Sequence, residues 1–339
     1  MRVHNCNPGT QPLTWPGNRT IYACPWRISS GQPRGQNMPV QNLPSKPSPS
    51  PTARGVVGPG IIRTIPELRR MTGAWRQAGE TIALIPTMGA LHDGHLALVR
   101  EGQRLARRTV VSIFVNPTQF APHEDFSRYP RDEAGDVAKL ATLSSSGGGC
   151  DLVWAPDATT MYPPGSATRV HPKGVALGLE TDFRSHFFEG VATVCCKLFT
   201  QVGPDFAIFG EKDYQQLQVV RQMARDLDLP LTVVGLPTIR ELDGLAMSSR
   251  NRYLSPEDRQ TAVVIPRVIA DVKAALAKRS DIEAAVAKAG QELTDAGFKV
   301  DYVEVRDAST LAVFDASATQ VPRVLVAAWL GKTRLIDNA

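Results

Sequence analysis

The sequence predicts an α/β protein, a doubly wound parallel sheet followed by a smaller α+β domain, and three observations carry that expectation. From Ile61 onward, apolar runs of four to seven residues alternate with amphipathic helical stretches. The runs are apolar at consecutive positions, as strands covered on both faces are. The turns that leave them bear histidine, amide, lysine and aspartate side chains, and open α/β sheets bind ligands at the carboxyl ends of their strands.

Residues 1–60 stand apart from this pattern. They are rich in Pro, Gly, Ser, Asn and Gln, centre on Leu43-Pro44-Ser45-Lys46-Pro47-Ser48-Pro49-Ser50-Pro51, and show neither structural period, which predicts a disordered extension. Residues 1–66 hold six Arg and one Lys but no acid. That suits either an organelle-targeting segment or an extension upstream of a later start such as Met38. Residues 67–339 carry 31 basic and 33 acidic side chains, so the formal charge of +5 belongs to the tail. A near-neutral body lacks the clustered cations of a nucleic-acid-binding surface. No apolar run approaches the ~20 residues of a membrane span. The five cysteines form no C-x-x-C pair, and adjacent Cys195 and Cys196 fall in an apolar helical pattern. They read first as buried hydrophobes of a reducing compartment, with a metal site as the second reading, and the protein is expected to be cytoplasmic.

The first domain is expected over 61–238. Ile65 to Trp75 reads as a helix and 81–86 as a strand, and His95 opens a helix that runs to about Arg108. Thr109 to Val115 is a buried strand, Glu133 to Leu143 a helix, 144–149 a flexible connection and Asp151 to Trp154 a strand. A helix from Gly190 to Val202, a strand from Phe206 to Phe209, a helix from Tyr214 to Leu227 and a strand from Leu231 to Val234 complete it. In the second domain, 239–339, Ser255-Pro256-Glu257-Asp258 combines a cap, a first-turn proline and acids, and so opens a helix. Helices over about 256–278 and 281–297 precede strands near 299–305, 321–330 and 333–336.

Four segments carry the chemistry. Ile85-Pro86-Thr87-Met88-Gly89-Ala90-Leu91-His92-Asp93-Gly94-His95 is a strand, a tight turn and a helix start, whose outward backbone amides form an anion site. His92 and His95 lie three apart on one helical face, and Gly89 and Gly94 remove Cβ bulk where a phosphate approaches. After Val115, the proline-fixed loop Asn116-Pro117-Thr118-Gln119 offers two amide side chains to a small polar substrate. After Phe209, Gly210-Glu211-Lys212-Asp213 leads into a helix: Lys212 is a point charge for phosphate, Asp213 suits a helix cap, a ribose or Mg²⁺, and Gln216 faces the same way one turn on. Downstream, Ser248, Ser249 and Arg250 can hold a triphosphate as it leaves as pyrophosphate.

The spacing H-x-G-H resembles the HIGH-type signature of nucleotidyltransferases. Pro86-Thr87-Met88-Gly89 with Leu91-His92 and Gly94-His95 is similar, more narrowly, to the pantothenate synthetase family. Residues 61–339 fit it in four motifs over about 165 residues, the last being Asp243-Gly244-Leu245-Ala246-Met247-Ser248-Ser249-Arg250-Asn251-Arg252-Tyr253, which resembles a KMSKS-type loop with Arg250 as its terminal cation. The resemblance implies a Rossmann-like ATP- and pantoate-binding domain, a C-terminal lid and a homodimer. It also implies that ATP, with Mg²⁺ of unassigned ligands, condenses pantoate and β-alanine through pantoyl adenylate. By resemblance, ATP falls on Met88, Gly89, Ala90, Leu91, His92, Asp93, Gly94, His95, Gly210, Glu211, Lys212, Asp213, Ile239, Met247, Ser248, Ser249 and Arg250. Pantoate and β-alanine fall on Gln119, Gln216 and Asn116, and catalysis on His95, His92 and Lys212. The chain departs from the family at Arg184-Ser185-His186-Phe187-Phe188-Glu189-Gly190-Val191, where the histidine stands one place early, so His186 is left out of the site. Two alternatives stay open: a cytidylyltransferase, separated by pyrophosphate exchange with ATP against CTP, and a nucleic-acid-binding protein that uses the basic tail.

Overall fold

The computed structural model describes residues 59–121, 124–143 and 149–339. The expectations for residues 1–58 and for the connection at 144–148 lie outside the described residues.

The first sheet has six parallel strands: β1 (Gly60–Ile62), β2 (Ile82–Thr87), β3 (Arg108–Ile113), β4 (Leu152–Trp154), β5 (Phe206–Gly210) and β6 (Thr232–Leu236). Their order is β1-β4-β3-β2-β5-β6. The chain therefore winds one way from β2 through β3 to β4 and the other way from β5 to β6, with the reversal between β2 and β5. That reversal opens a crevice beyond the strand ends, and the turns that follow β2 and β5 leave the sheet there.

Side chains of each central strand alternate between two cores because successive residues point to opposite faces. Leu84, Val110, Leu152 and Ala207 pack on one face with helices α1 (Ile65–Gln77), α6 (Phe187–Val202) and α7 (Tyr214–Asp226). Ile85, Val111, Val153 and Ile208 pack on the other with α2 (Asp93–Leu105) and α3 (Glu133–Thr142). Burial on both faces is what the continuously apolar runs encode.

The C-terminal sheet is antiparallel, β7 (Phe298–Asp307), β8 (Pro322–Leu330) and β9 (Thr333–Asn338) in that order, with a register shift between Val300 and Tyr302. It packs on α9 (Val264–Ala277) and α10 (Ile282–Asp295) around Ile269, Leu293 and Val326.

Several boundaries differ from expectation. The first-sheet edge strand β1 is three residues long, too short to show a period, and pairing with β4 creates it. The helix expected over 256–278 is two, α8 (Pro256–Thr261) and α9, interrupted at Ala262 and Val263. Pro266 lacks the N–H that would bond back to Ala262, so continuous helical bonding cannot pass this point. The helix opened at the two histidines stops at Leu105, because Arg108 already pairs with Ile82 in the sheet. Helix α6 starts at Phe187, three residues before Gly190. Short helices α4 (Ala158–Met161) and α5 (Glu180–Phe183) were not anticipated. Among the described residues, no helix is long and apolar enough to cross a membrane.

Candidate active site

The strand-end crevice is a cavity of about 330 Å³ that the C-terminal sheet closes from the far side. Met88, His92, Gly94 and His95 line it from the β2 turn, Asn116 and Gln119 from the β3 loop, and Gly210, Lys212, Asp213 and Gln216 from the β5 turn and α7. Ile239, Met247, Ser248, Ser249 and Arg250 line it from beyond β6. Gly89, Ala90, Leu91, Asp93 and Glu211 do not, although the sequence reading placed them there.

The β2 turn corrects the expected backbone anion site. The Gly89 N–H donates to Thr87 Oγ1 (3.1 Å), the Ala90 and Leu91 N–H groups to Asp136 Oδ2 and Oδ1 (2.7 Å each), and the His92 N–H to His95 Nδ1 (3.3 Å). The Gly94 N–H donates to His92 Nδ1 (3.2 Å). These amides are therefore used within the turn, and the anion they hold is a carboxylate from α3. Gly89 and Ala90 are both left-handed, at φ 80° and 53°. For alanine that conformation costs about 1–2 kcal/mol, which the two short bonds to Asp136 offset. The glycines also serve the turn itself. A Cβ on Gly89 would stand 3.0 Å from Asp136 Oδ2, and one on Gly94 would stand 2.9 Å from the His92 ring.

The imidazoles supply what the amides do not. A backbone N–H can only donate, so each Nδ1 that receives one is unprotonated, and each neutral ring carries its proton on Nε2. The rings lie 4.1 Å apart. Burial, with Lys212 next, pushes His92 down to about 4, and burial, with His92 and Lys212 next, pushes His95 down to about 3. At neutral pH both are uncharged Nε2–H donors. Lys212 makes no hydrogen bond or ion pair through its ammonium among the described residues, and a Cβ on Gly210 would meet open space.

The amide loop divides its labour. Asn116 Nδ2 donates to Gln119 Oε1 and the Gly190 carbonyl (3.1 Å each), while Asn116 Oδ1 accepts from Tyr162 Oη (2.8 Å) and Thr118 Oγ1 (3.0 Å). Asn116 is thus spent on fixing Gln119 and has no donor left for substrate, a correction to the sequence reading. Gln119 Nε2 rests on Met88 Sδ (3.2 Å) with its second hydrogen uncommitted. Arg184 ties this loop from the turn between α5 and α6, bonding Glu124 through Nε and Nη2 (2.6 and 2.7 Å) and the Gln119 carbonyl (3.2 Å) while stacking on Phe187.

Two further expectations change. Asp213 does not cap α7; its carboxylate makes no hydrogen bond or ion pair among the described residues and lines the cavity. Glu211 turns away to Arg323 (3.2 Å). At the cavity mouth, Ser248 Oγ accepts from the Arg250 N–H (3.2 Å), Ser249 Oγ meets Tyr129 Oη (3.3 Å), and Arg250 reaches Asp125 (3.3 Å).

Sequence reading missed Asp136, Arg184, Glu124, Asp125 and Tyr129. Only Asp136 left a local signal, an acid in register with Leu140 and Leu143 on the apolar stripe of its helix.

A family model described as pantoate-beta-alanine ligase matches residues 60–339. A pantothenate synthetase of Caulobacter vibrioides is 54% identical over 290 residues, covering 84% of this chain and 99% of the relative. Pantothenate synthetase 2 of Bradyrhizobium diazoefficiens is 57% identical over 281 residues, 83% of this chain and 98% of its own. Among solved structures, the pantothenate synthetase of Thermus thermophilus superposes with a TM-score of 0.75 at 43% identity, covering 83% of this chain and 98% of that one. The Francisella tularensis pantoate-beta-alanine ligase, complexed with beta-gamma ATP and beta-alanine, gives 0.69 at 30%, covering 83% and 97%.

Proposed function

The chain belongs to the pantoate-beta-alanine ligase family, and from that membership we propose how its cavity makes the amide bond. The enzyme is an amide-forming ligase that produces pantothenate from pantoate and β-alanine in an ATP-dependent reaction. The observation that carries the reading is the convergence of two neutral imidazoles, one free ammonium and one guanidinium from three separate turns on one cavity, beside two glutamine amides.

ATP lies with its triphosphate between His92, His95 and Lys212 on one side and Ser248, Ser249 and Arg250 on the other. Pantoate sits against Gln119 and Gln216, with Phe187 and Val191 as the apolar wall for its methyl groups. Its carboxylate attacks the α-phosphorus in line, forming pantoyl adenylate and pyrophosphate. Negative charge then grows on phosphate oxygens. The Nε2–H donors, the ammonium and the guanidinium are aimed at it before the reaction begins, so little reorganisation opposes the step. The amine of β-alanine next attacks the acyl carbon, and AMP leaves.

Among the described residues, no three His, Cys, Asp or Glu side chains are grouped to hold a metal. The unpartnered Asp213 carboxylate fits Mg²⁺, which is commonly held by one or two carboxylates together with substrate phosphates. Bound there, Mg²⁺ would neutralise phosphate charge.

Residues 239–339 act as a lid that shields the acyl adenylate from water, and the working enzyme is a cytoplasmic homodimer. The test is AMP release with pantoate, β-alanine and ATP, omitting each in turn, alongside ATP–pyrophosphate exchange. We expect AMP only with all three, and exchange that needs pantoate but not β-alanine. Exchange that requires β-alanine would rule out the adenylate order.

A further inference from the structure

We propose that Asp136, on α3 and outside the cavity, is a positioning residue that sets the tautomer and aim of His92 and His95 by holding the backbone of the turn that carries them. The inference rests on the reading that these imidazoles serve ATP.

The turn between β2 and α2 is held in two successive left-handed residues, Gly89 and Ala90. In that shape the N–H groups of Ala90 and Leu91 converge, and each meets a different oxygen of the buried Asp136 carboxylate at 2.7 Å. One helical turn on, Lys139 Nζ donates to the Leu91 carbonyl (2.8 Å) and stands 3.7 Å from Asp136. Arg252 reaches the same carbonyl from the C-terminal side of the cavity (3.4 Å). Both ends of residue 91 are therefore fixed by α3.

That fixing reaches the imidazoles through one peptide plane. The Leu91 carbonyl and the His92 N–H belong to the same rigid unit and point in opposite directions. With the carbonyl held on Lys139, the His92 N–H is turned onto His95 Nδ1 (3.3 Å), which puts the His95 proton on Nε2. The Gly94 N–H does the same for His92. Asparagine at 136 cannot replace the carboxylate. It has one acceptor oxygen, and its amide would set a donor against the second N–H.

The test compares the full-length enzyme with Asp136→Asn and, as a control for a loosened α3, Asp132→Ala, which removes the cap that accepts the Gly135 N–H (2.9 Å). Imidazole ¹⁵N spectra of the ligand-free proteins report tautomers without any reaction. Wild type should show Nε2–H on both rings, whereas Asp136→Asn should show mixed tautomers. In steady state, Asp136→Asn should lose about 10-fold or more in kcat with pantoate KM within about 2-fold, a typical scale for mis-aimed transition-state donors. Asp132→Ala should keep wild-type tautomers and kcat. Equal kcat losses in the two variants, or unaltered tautomers in Asp136→Asn, would overturn the proposal.

If Asp136→Asn does not fold, wild-type amide spectra decide. The Ala90 and Leu91 N–H signals should stay in place when β,γ-methylene ATP is added. Large shifts would mean that phosphate rather than Asp136 is their partner. Failure of wild type to release AMP would count instead against the ATP reading, so the two failures are distinct.

Discussion

His92 and His95 each give Nδ1 to a backbone N–H of their own turn and keep Nε2–H for the cavity. They are neutral donors, so on this side of the proposed triphosphate site the unpaired positive charge that lines the cavity, among the described residues, is that of Lys212. Substituting His95→Ala or Lys212→Ala should lower kcat by roughly 10²-fold or more, the usual scale for one lost transition-state donor. Near-normal AMP release by either variant would refute its role. Burial also ties these rings to stability. Their folded values of about 4 and 3 lie below the ordinary 6.5, so between those limits the unfolded chain binds more protons. Their contribution is fully present above about pH 6.5 and is lost as pH falls toward 4 and then 3, with a slope of up to about 1.4 kcal/mol per pH unit for each ring. Urea unfolding at pH 7, 6 and 5 should show this slope, and His95→Gln should flatten it.

At the level of elements, the candidate site depends on helices that hold its turns in place. Helix α3 shapes the histidine turn from behind. Helix α6 approaches the amide loop so closely that a Cβ on Gly190 would stand 2.5 Å from the Thr118 carbonyl oxygen and 2.8 Å from the Gln119 nitrogen. These are backbone atoms and cannot swing aside. Gly190→Ala should therefore destabilise the protein by about 1–3 kcal/mol, the range for overpacking, and raise pantoate KM by displacing Gln119. Unchanged unfolding and KM would mean that α6 slides without cost.

Across the whole molecule, residues 239–339 meet the first sheet's loops through contacts of different character. On the wall of the same cavity, Glu180 is buried between Arg334 (2.8 Å) and Tyr302 (2.8 Å), and Arg334 also holds Asp301 (2.7 Å). At the mouth, the contacts of Arg250, Ser249 and Arg252 are 3.3–3.4 Å. The first contacts are short and buried, and the second are longer and more exposed. Arg334→Met leaves Glu180 buried without its main partner and should cost roughly 3–5 kcal/mol, read as a fall in denaturation midpoint; a midpoint equal to wild type would sink that expectation. Deleting residues 1–59, which precede the family match, should leave kcat and each KM within about 2-fold. A larger loss would assign that stretch a part in turnover.

Both-face burial made the central strands readable, because a parallel strand must be apolar at consecutive positions, as Leu84 and Ile85 are, whereas their order in the sheet came only from the fold. The imidazole pair, Lys212 and Gln119 stood out because they sit beside glycines and prolines that mark the strand ends, and Arg250 stood out through the resemblance of its loop to a KMSKS-type motif. Asp136, Arg184 and Glu124 gave no comparable mark, since each acts on a segment between about 45 and 65 residues away in sequence. Local pattern records which side chains a segment offers. Only the folded chain decides which of its hydrogen bonds are already taken, and that distinction turned Asn116 and the turn's amides from ligand groups into scaffold.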